Sequence, residues 1–294
     1  MVNRPPSVAV LLSAYNGESW IEEQVSSILS QKNTSVEIFI SIDLSNDKTY
    51  EKCQEFAREN ANIEVLSYGE RFGGAAKNFF RLIRDVDFSY FDYIALSDQD
   101  DIWDDSKLHH AIKTIKQDEL DGYSSNVIAF WSNGREKLVK KSFPQKKFDY
   151  YFEAAGPGCT YVLKQKSAQK FKKFLIKNWS RVNIVELHDW MIYAYFRSQG
   201  MKWKIDSKSL MRYRQHDHNQ FGSNSGFKAY LSRFSKIKTK WYRNEVIKII
   251  ILLDEGCKKS FSLKSYFLIK HFWSLRRRPR DSVILLFMII FQIF

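Results

Sequence analysis

The sequence predicts an α/β protein: an open, mostly parallel sheet with helices on both faces. Strand and helix patterns alternate in the order β-α-β-α-β-α-β as far as Ser97. The first strand, Val8–Ser13, is continuously apolar, as strands buried on both faces are. The fourth, Tyr93–Ser97, runs straight into a dense group of acids. Sheets of this class bind ligands beyond the carboxyl ends of their strands, where Ser13, Asp43 and Asp98 all stand.

The elements follow in order. After the first strand, Asn16-Gly17 marks a turn, and Ser19 with Glu22 three residues on reads as a capping box. Trp20, Ile21, Val25, Ile28 and Leu29 recur at helical spacing. Val36–Ile42 is the second strand, and Asp47 is placed to cap a helix with the face Tyr50, Cys53 and Phe56. Ile63–Ser67 is a short third strand. The segment Gly69–Gly74 leads into a helix through Asn78–Ile83. The second half is less regular. Val127–Trp131 reads as a strand, Gly134–Asp149 as a polar, basic loop, and Gly156-Pro157-Gly158 as a turn before a strand at Thr160–Leu163. Val185–Ser198 reads as a helix stopped by Gly200; Trp203–Ile205 and Leu210–Tyr213 read as short strands. From Phe227 the pattern is helical, basic and aromatic.

Bulk properties narrow the class. With 294 residues, 44% of them hydrophobic, the chain can build one large domain or a domain with an appendage. The 16% aromatic content leans towards carbohydrate recognition. Cys53, Cys159 and Cys257 are far apart and form no C-x-x-C pair, which argues against a disulfide framework or zinc site and fits a reducing cytoplasm. The opening MVNRPPSVAVLLSAYNG does not read as a signal peptide. Of the net charge of +13, the stretch Lys228–Asp281 holds +11, fifteen Lys and Arg against four Asp and Glu, so residues 1–227 carry only +2. A basic stretch interleaved with Trp, Phe and Ile points to an anionic membrane surface. The closing apolar run has about 13 residues, counted from Ser282. As a helix it reaches roughly 20 Å, short of a hydrocarbon core of about 30 Å. It is expected to lie in one leaflet or to pack on the protein.

The chemistry concentrates in Ser97-Asp98-Gln99-Asp100-Asp101-Ile102-Trp103-Asp104-Asp105. Carboxylates crowded after an apolar strand repel one another, and a hard divalent cation relieves that repulsion while recruiting phosphate oxygens. Asp98 and Asp100 are the metal or nucleotide candidates; Asp104 or Asp105 is expected to cap the helix Lys107–Ile115.

The stretches VAVLLSAYNGESWIEEQVSSILSQ, FISIDLSNDKTYE, ALSDQDDIWDDSKL, GPGCTYVL, ELHDW and YRQHDHNQFG together resemble an inverting glycosyltransferase of family 2 with the GT-A fold. They span about residues 8–224. SDQDDIW, HDW and YRQH are most similar to the rhamnosyltransferase-like branch that builds O-antigens and capsules. The resemblance implies a GT-A domain over residues 1–226, with a nucleotide-sugar half (1–125) and an acceptor half (126–226), followed by a helical, basic, membrane-associating region (227–294). It implies a donor site with Ser13, Ala14, Tyr15, Asp43, Asp98 and Gln99, Asp43 bonding the base. Asp98-Gln99-Asp100 would be the D-x-D motif, holding Mg²⁺ or Mn²⁺ chiefly through Asp100, with His216 near the metal and diphosphate. Lys77 and Arg214 would meet diphosphate charge. Asp189 would be the general base, with Glu186 in reserve. Gly158, Thr160, His188 and Trp190 would border the acceptor, and Cys159 would be a packing residue. Two departures from the family pattern stand out: Ile42-Asp43-Leu44 keeps one acid where two are usual, and Arg71 replaces a common Asn.

The implied reaction moves rhamnose or a hexose from a nucleotide diphosphate to a lipid-linked glycan at the inner face of the cell membrane. The implied donor is dTDP-rhamnose or a UDP-hexose. The enzyme would be cytoplasmic and peripheral. Nothing in the sequence sets an oligomeric state. An oxidoreductase is disfavoured because no G-x-G-x-x-G follows the first strand. A nucleic-acid binder would leave the acidic cluster unexplained, so no nucleic-acid partner is expected. A sugar-binding module without catalysis remains if Asp189 is not positioned.

Overall fold

The computed structural model describes residues 4–216, 240–254 and 261–294. Its centre is a seven-stranded sheet. In chain order the strands are β1 (Ser7–Ala14), β2 (Ser35–Ile42), β3 (Ile63–Val65), β4 (Tyr93–Ser97), β6 (Gly122–Ser125), β9 (Val162–Lys164) and β10 (Trp203–Asp206). They lie side by side as β10-β6-β9-β4-β1-β2-β3. All pairs are parallel except those of β9, which runs antiparallel between β4 and β6. From β1 the chain steps outward to β2 and β3, then returns to the other side of β1 as β4. The order therefore reverses between β1 and β4, and a crevice opens at their carboxyl ends. A smaller sheet, β5 (Ile102–Trp103), β11 (Met211–Gln215), β7 (Val127–Trp131) and β8 (Glu136–Val139), follows the order β5-β11-β7-β8.

Strand alternation divides the core into two layers. Val8, Val10 and Leu12 of β1 join a cluster with α1 (Ile21–Leu29), α2 (Thr49–Glu59) and α4 (Lys107–Gln117). Ala9 and Leu11 face the opposite cluster, with α3 (Ala75–Asp85), α5 (Gln165–Lys177), α6 (Trp179–Val182) and α7 (His188–Ser198). The expected helices on both faces are present.

Local expectations fared unevenly. Asp47 Oδ1 accepts the Thr49 N–H at 3.0 Å at the start of α2, and Asp104 Oδ1 accepts the Ser106 N–H at 3.0 Å ahead of α4. Asp105 instead pairs with Lys32 at 2.5 Å. Ser19 caps nothing: the Gly17 carbonyl takes the Trp20 and Ile21 N–H groups, and α1 begins at Ile21. The stretch read as a loop at 134–149 contains β8, an exposed edge strand whose polar residues give no apolar alternation. Strand β6 and helix α5 escape the pattern reading altogether. Gly122 in β6 is required there, because a Cβ would collide with the Trp203 ring.

The C-terminal chain is built into the same domain. A further helix, α8 (Trp241–Asp254), with α9 (Ser265–Lys270) and α10 (Pro279–Ile290), sends Val246, Ile249, Leu268, Leu275, Leu285 and Ile289 into the layer of Leu11 and Leu96. Residues 227–239, where the tail was expected to begin, lie outside the described residues, as do Asp217–Gly222 of the last motif and Cys257. Two of the tail's cations, Arg276 and Arg277, turn into the fold. Arg277 is buried, donating to Asp149 Oδ2 at 3.1 Å and the Ala154 carbonyl at 2.5 Å. Asp149 is fully buried and also accepts the Tyr193 hydroxyl at 2.9 Å.

Removing one partner of a buried pair strands the other charge. Arg277→Ala is expected to lower unfolding free energy by roughly 3 kcal/mol, the low end for such pairs because Tyr193 and Arg197 still face Asp149. Urea denaturation checks this; a loss below about 1 kcal/mol would mean that Asp149 is held without Arg277.

Candidate active site

The crevice at the β1/β4 reversal opens into a cleft of about 1220 Å³. Ser13, Tyr15, Asp43, Asp98, Gln99, Asp100, Gly158, His188, Asp189, Trp190 and His216 all line it, so the fold gathers most of the residues predicted from sequence. Four do not reach it. Ala14 is buried behind Ser13, with its carbonyl accepting the Asp43 N–H at 2.8 Å; alternation along β1 sends Ser13 in and Ala14 away. Lys77 is exposed on α3, outside the lining. Thr160 is buried and turns its hydroxyl back to the Pro157 carbonyl at 2.7 Å. The Arg214 guanidinium is bonded to Glu23, donates to the Asp100 carbonyl at 2.8 Å and lies 4.6 Å from the Phe130 ring centroid. It braces the acidic loop from behind.

Along the ends of β1 and β2 the backbone is tied down by side chains. Gln99 accepts the Tyr15 N–H at 2.7 Å and donates to the Tyr15 carbonyl at 2.8 Å, a two-bond clamp between the loops after β1 and β4. Gly17 is needed beside it, since a Cβ would strike the Gln99 amide. Gln99 therefore positions Tyr15. Asp43 Oδ1 accepts from Leu44 at 2.9 Å and Phe72 at 2.8 Å, while Oδ2 accepts from Gly73 at 2.8 Å. The carboxylate thus shapes the 69–74 loop, with both lone pairs of Oδ1 taken and one acceptor site left on Oδ2. Arg71 lines the cleft where Lys77 does not. Beneath the loop, Ser41, Asn78 and Arg81 form a buried network: Asn78 donates to the Ser41 carbonyl at 2.9 Å and Arg81 to the Ser41 hydroxyl at 2.8 Å.

On the other side acids converge. Burial, with Asp100 and Asp189 nearby, pushes the Asp98 carboxyl up to about 7. Asp100 Oδ2 meets His216 Nε2 at 2.7 Å, and the His216 ring stacks on Trp20 at 4.0 Å. Asp101 is fully buried; burial and its two acidic neighbours hold its carboxyl well above the usual range, while Oδ1 accepts the Arg214 N–H at 3.1 Å. Ligand atoms of Asp98, Asp101 and Cys159 come within 4.8 Å of one another. Asp101 and Cys159 are fully buried, however, and burial keeps the Cys159 thiol protonated, a poor donor for a hard cation. Asp98, Asp100 and His216 present carboxylate and imidazole to the cleft itself, a donor set suited to Mg²⁺ or Mn²⁺.

Helix α7 delivers the third group. Burial raises the Asp189 carboxyl to about 6, opposed by the Trp190 N–H, which donates to Oδ1 at 2.7 Å, and by Lys141. The ring of His188 stacks on Phe79 at 4.0 Å; burial holds its pKa near 3, so the imidazole is neutral. Its Nε2 finds no hydrogen bond and packs where a Cβ on Gly158 would collide with it. Trp190 is fixed by Nε1 donating to the Tyr150 carbonyl at 2.9 Å. Glu186 also lines the cleft, but it is exposed and accepts the Trp241 indole N–H at 2.6 Å. Asp189 is the better-placed carboxylate. Lys141, Trp241, Tyr242 and Arg276 complete the lining. Sequence reasoning missed all four: Lys141 sits in the presumed loop and the others in the presumed tail.

A crevice at a strand-order reversal, carrying a D-x-D pair and a separate half-buried carboxylate, is an arrangement for nucleotide-sugar chemistry. The profile of Glycosyl transferase family 2 matches residues 9–183. The chain belongs to this family. It is 46% identical to the dTDP-rhamnosyl transferase RfbG of Shigella flexneri over 289 residues, covering 96% of this chain and all of the relative. A putative teichuronic acid biosynthesis glycosyltransferase, TuaG of Bacillus subtilis, is 28% identical over half of this chain and 54% of its own length. Among solved structures, S. aureus TarS in complex with UDP superposes with TM-score 0.57 at 16% identity, covering 90% of this chain and 72% of that one. The mannosyltransferase PcManGT of Pyrobaculum calidifontis, solved with GDP-Man and Mn²⁺, gives 0.53 at 14%, with 99% and 86% covered. These likenesses show the GT-A fold. The chain is a glycosyltransferase of the rhamnosyltransferase-like branch, in a fold class that commonly uses a divalent metal.

Proposed function

We propose that this enzyme transfers rhamnose from dTDP-rhamnose, with inversion, to a lipid-linked glycan in surface-polysaccharide synthesis. The observation that carries the reading is Asp189, a half-buried carboxylate in the same cleft as Asp98, Asp100 and His216. The 46% identity to a dTDP-rhamnosyl transferase over nearly the whole chain supports the donor.

Ser13, Tyr15 and Asp43 hold the nucleoside, with the Asp43 carboxylate accepting the N–H that both thymine and uracil present. Asp98, Asp100 and His216 would hold Mg²⁺ or Mn²⁺, which when bound neutralises diphosphate charge. Asp189 takes the proton of the acceptor hydroxyl as that oxygen bonds the sugar's anomeric carbon. The bond from this carbon to the diphosphate breaks, and its electron pair leaves with the nucleotide. A carboxyl at about 6 is ionised at neutral pH yet basic enough to assist. Neutral His188 adds no positive charge beside it.

Attachment to an anionic membrane completes the reading. Ile284, Phe287, Ile290 and Phe291 of the α10 region are exposed together with Trp273 and Tyr266, and Arg278 and Arg280 flank them outward. No helix among the described residues is long and apolar enough to cross a membrane. An in-plane contact at the cytoplasmic face fits this surface.

Three outcomes follow. With Mg²⁺ or Mn²⁺ and a glycan-diphosphate-lipid acceptor, a panel of nucleotide sugars should give turnover with dTDP-rhamnose and none in excess EDTA; preference for a UDP-hexose would reassign the donor. The rate should fall about tenfold per unit as pH drops below about 6, because the active form of Asp189 is the carboxylate. Lys141 and Asp98 are the charged groups facing it. Asp189→Asn should remove that limb and cost about 10²–10⁴ in turnover with donor affinity retained; an unchanged limb in the variant would place the base elsewhere. Finally, Phe287→Glu with Phe291→Glu should abolish sedimentation with phosphatidylglycerol vesicles while sparing transfer to a soluble acceptor. Sedimentation equal to the parent would remove α10 from the contact.

A further inference from the structure

The cleft has a second charged wall that the donor chemistry does not use. Its backbone is the segment 152–156, which gathers three cations. The Phe152 carbonyl accepts from Arg276 at 3.3 Å, and the Ala154 carbonyl accepts from Arg277 at 2.5 Å. Gly156 packs beside the stem of Lys141, with a Cβ there standing 3.5 Å from Lys141 Cγ.

The three cations differ in how they are satisfied. Arg277 is internal and paired with Asp149 and Glu153. Arg276 faces the cleft; Tyr242 accepts from it at 2.8 Å, but its acidic neighbours Glu153 and Asp281 lie at 3.7 Å and Nε has no hydrogen bond. Lys141 also faces the cleft, and among the described residues its ammonium has neither a hydrogen bond nor an ion pair. Burial and the like charges of Arg277 and Arg276 hold its pKa below the ordinary lysine value, against the opposing pull of Glu153 and Asp189. A half-buried ammonium beside two guanidinium groups is an incomplete arrangement, and an anion completes it.

Aromatic side chains stand next to this wall. Tyr242 stacks at 5.8 Å on Trp190, which follows Asp189 directly, and its hydroxyl is locked to the Phe152 carbonyl at 2.7 Å. Trp241 is anchored through Glu186. Beside Asp189 the cleft therefore offers both aromatic faces suited to a sugar ring and cations suited to phosphate.

We propose that Lys141 and Arg276 bind a phosphate of the acceptor's diphosphate, with Trp190, Trp241 and Tyr242 framing the sugar between that phosphate and Asp189. This rests on the transferase reading above and assigns the acceptor a short span: the attacking sugar lies close to the lipid diphosphate. The donor diphosphate occupies the opposite, acidic side.

Lys141→Gln is the informative variant, because Arg276 is also bonded into the fold. Two acceptors carrying the same sugar are compared, one as a lipid diphosphate and one as a neutral alkyl glycoside. Lys141→Gln should raise KM for the diphosphate acceptor about 10-fold or more, leaving KM for the neutral acceptor and for the donor unchanged. Lys141→Arg should restore most of the difference. Equal rises in KM for both acceptors, or an effect on donor KM alone, would overturn the assignment; a change in turnover common to both acceptors is expected, because Lys141 also faces Asp189. A turnover-independent measurement separates this from failure of the transferase reading. Farnesyl diphosphate, titrated in EDTA, should bind the parent about 10-fold more tightly than the variant; equal binding would overturn the site whatever the reaction. Parent binding to phosphatidylglycerol vesicles that is lost in Lys141→Gln, without loss of farnesyl diphosphate binding, would assign the cation to membrane headgroups and overturn it as well.

Discussion

Four carboxylates, Asp98, Asp100, Asp101 and Asp189, crowd the carboxyl end of β4, and much of the surrounding structure answers that crowding. Each is handled differently. Asp101, fully buried, takes the Arg214 N–H and lies near the Lys107 ammonium, which sits 3.3 Å from the Trp103 ring centroid. Asp100 faces the His216 imidazole. Asp98 is left to share a proton or a cation, as a carboxyl pushed up to about 7 does near neutrality. Asp189 receives the Trp190 N–H and faces Lys141. The second sheet exists at this point for a reason: β11, pinned between β5 and β7, carries both Arg214 and the approach to His216. The acidic loop and its counter-groups therefore come from chain segments more than a hundred residues apart.

Around the loops after β1 and β2 the demands are met by hydrogen bonds, several of them to the charged groups of Asp43 and Arg81. Gln99 clamps Tyr15, Asp43 gathers the amides of Phe72 and Gly73, and Asn78 and Arg81 tie the ends of β2 and α3 together. These bonds fix loops that would otherwise be free to change shape. The wall of the cleft beside Asp189 is assembled over longer distances. Lys141 follows β8, Tyr242 opens α8 and Arg276 precedes α10, and the segment 152–156 holds them in one wall. The C-terminal helices thus do two jobs, one face filling the core beside Leu11 and Leu96 and one corner finishing the cleft.

This division explains what was legible from sequence. β1, β2 and β4 announce themselves because strands buried on both faces must be continuously apolar. Asp98 and Asp100 stand out because acids directly after such a strand need a reason. Asp189 and His216 came from motif resemblance, and the fold brings both into the cleft. Position along the chain does not reveal which way a side chain turns, and Ala14, Lys77, Thr160 and Arg214 lie outside the cleft lining. β8 was invisible because an exposed edge strand has no apolar face to display. Lys141, Tyr242 and Arg276 left no local signal, since their meaning arises only from being packed on the same short segment.

The polarity of the cleft has a further consequence under the proposed reading. A transferase whose donor and acceptor both carry diphosphates must keep the two from exchanging places. Shape alone discriminates weakly between two diphosphates, but charge does so strongly. The Asp98–Asp100 side repels an anion until a divalent cation is present. The Lys141–Arg276 side attracts one without it. Donor entry is thereby tied to the metal and acceptor entry is not, so each diphosphate has one favourable seat. Asp189 lies between the two signs of charge. The acidic side and burial raise its pKa, whereas Lys141 lowers it, and the balance near 6 leaves it ionised at neutral pH. The same asymmetry that sorts the substrates therefore also sets the base.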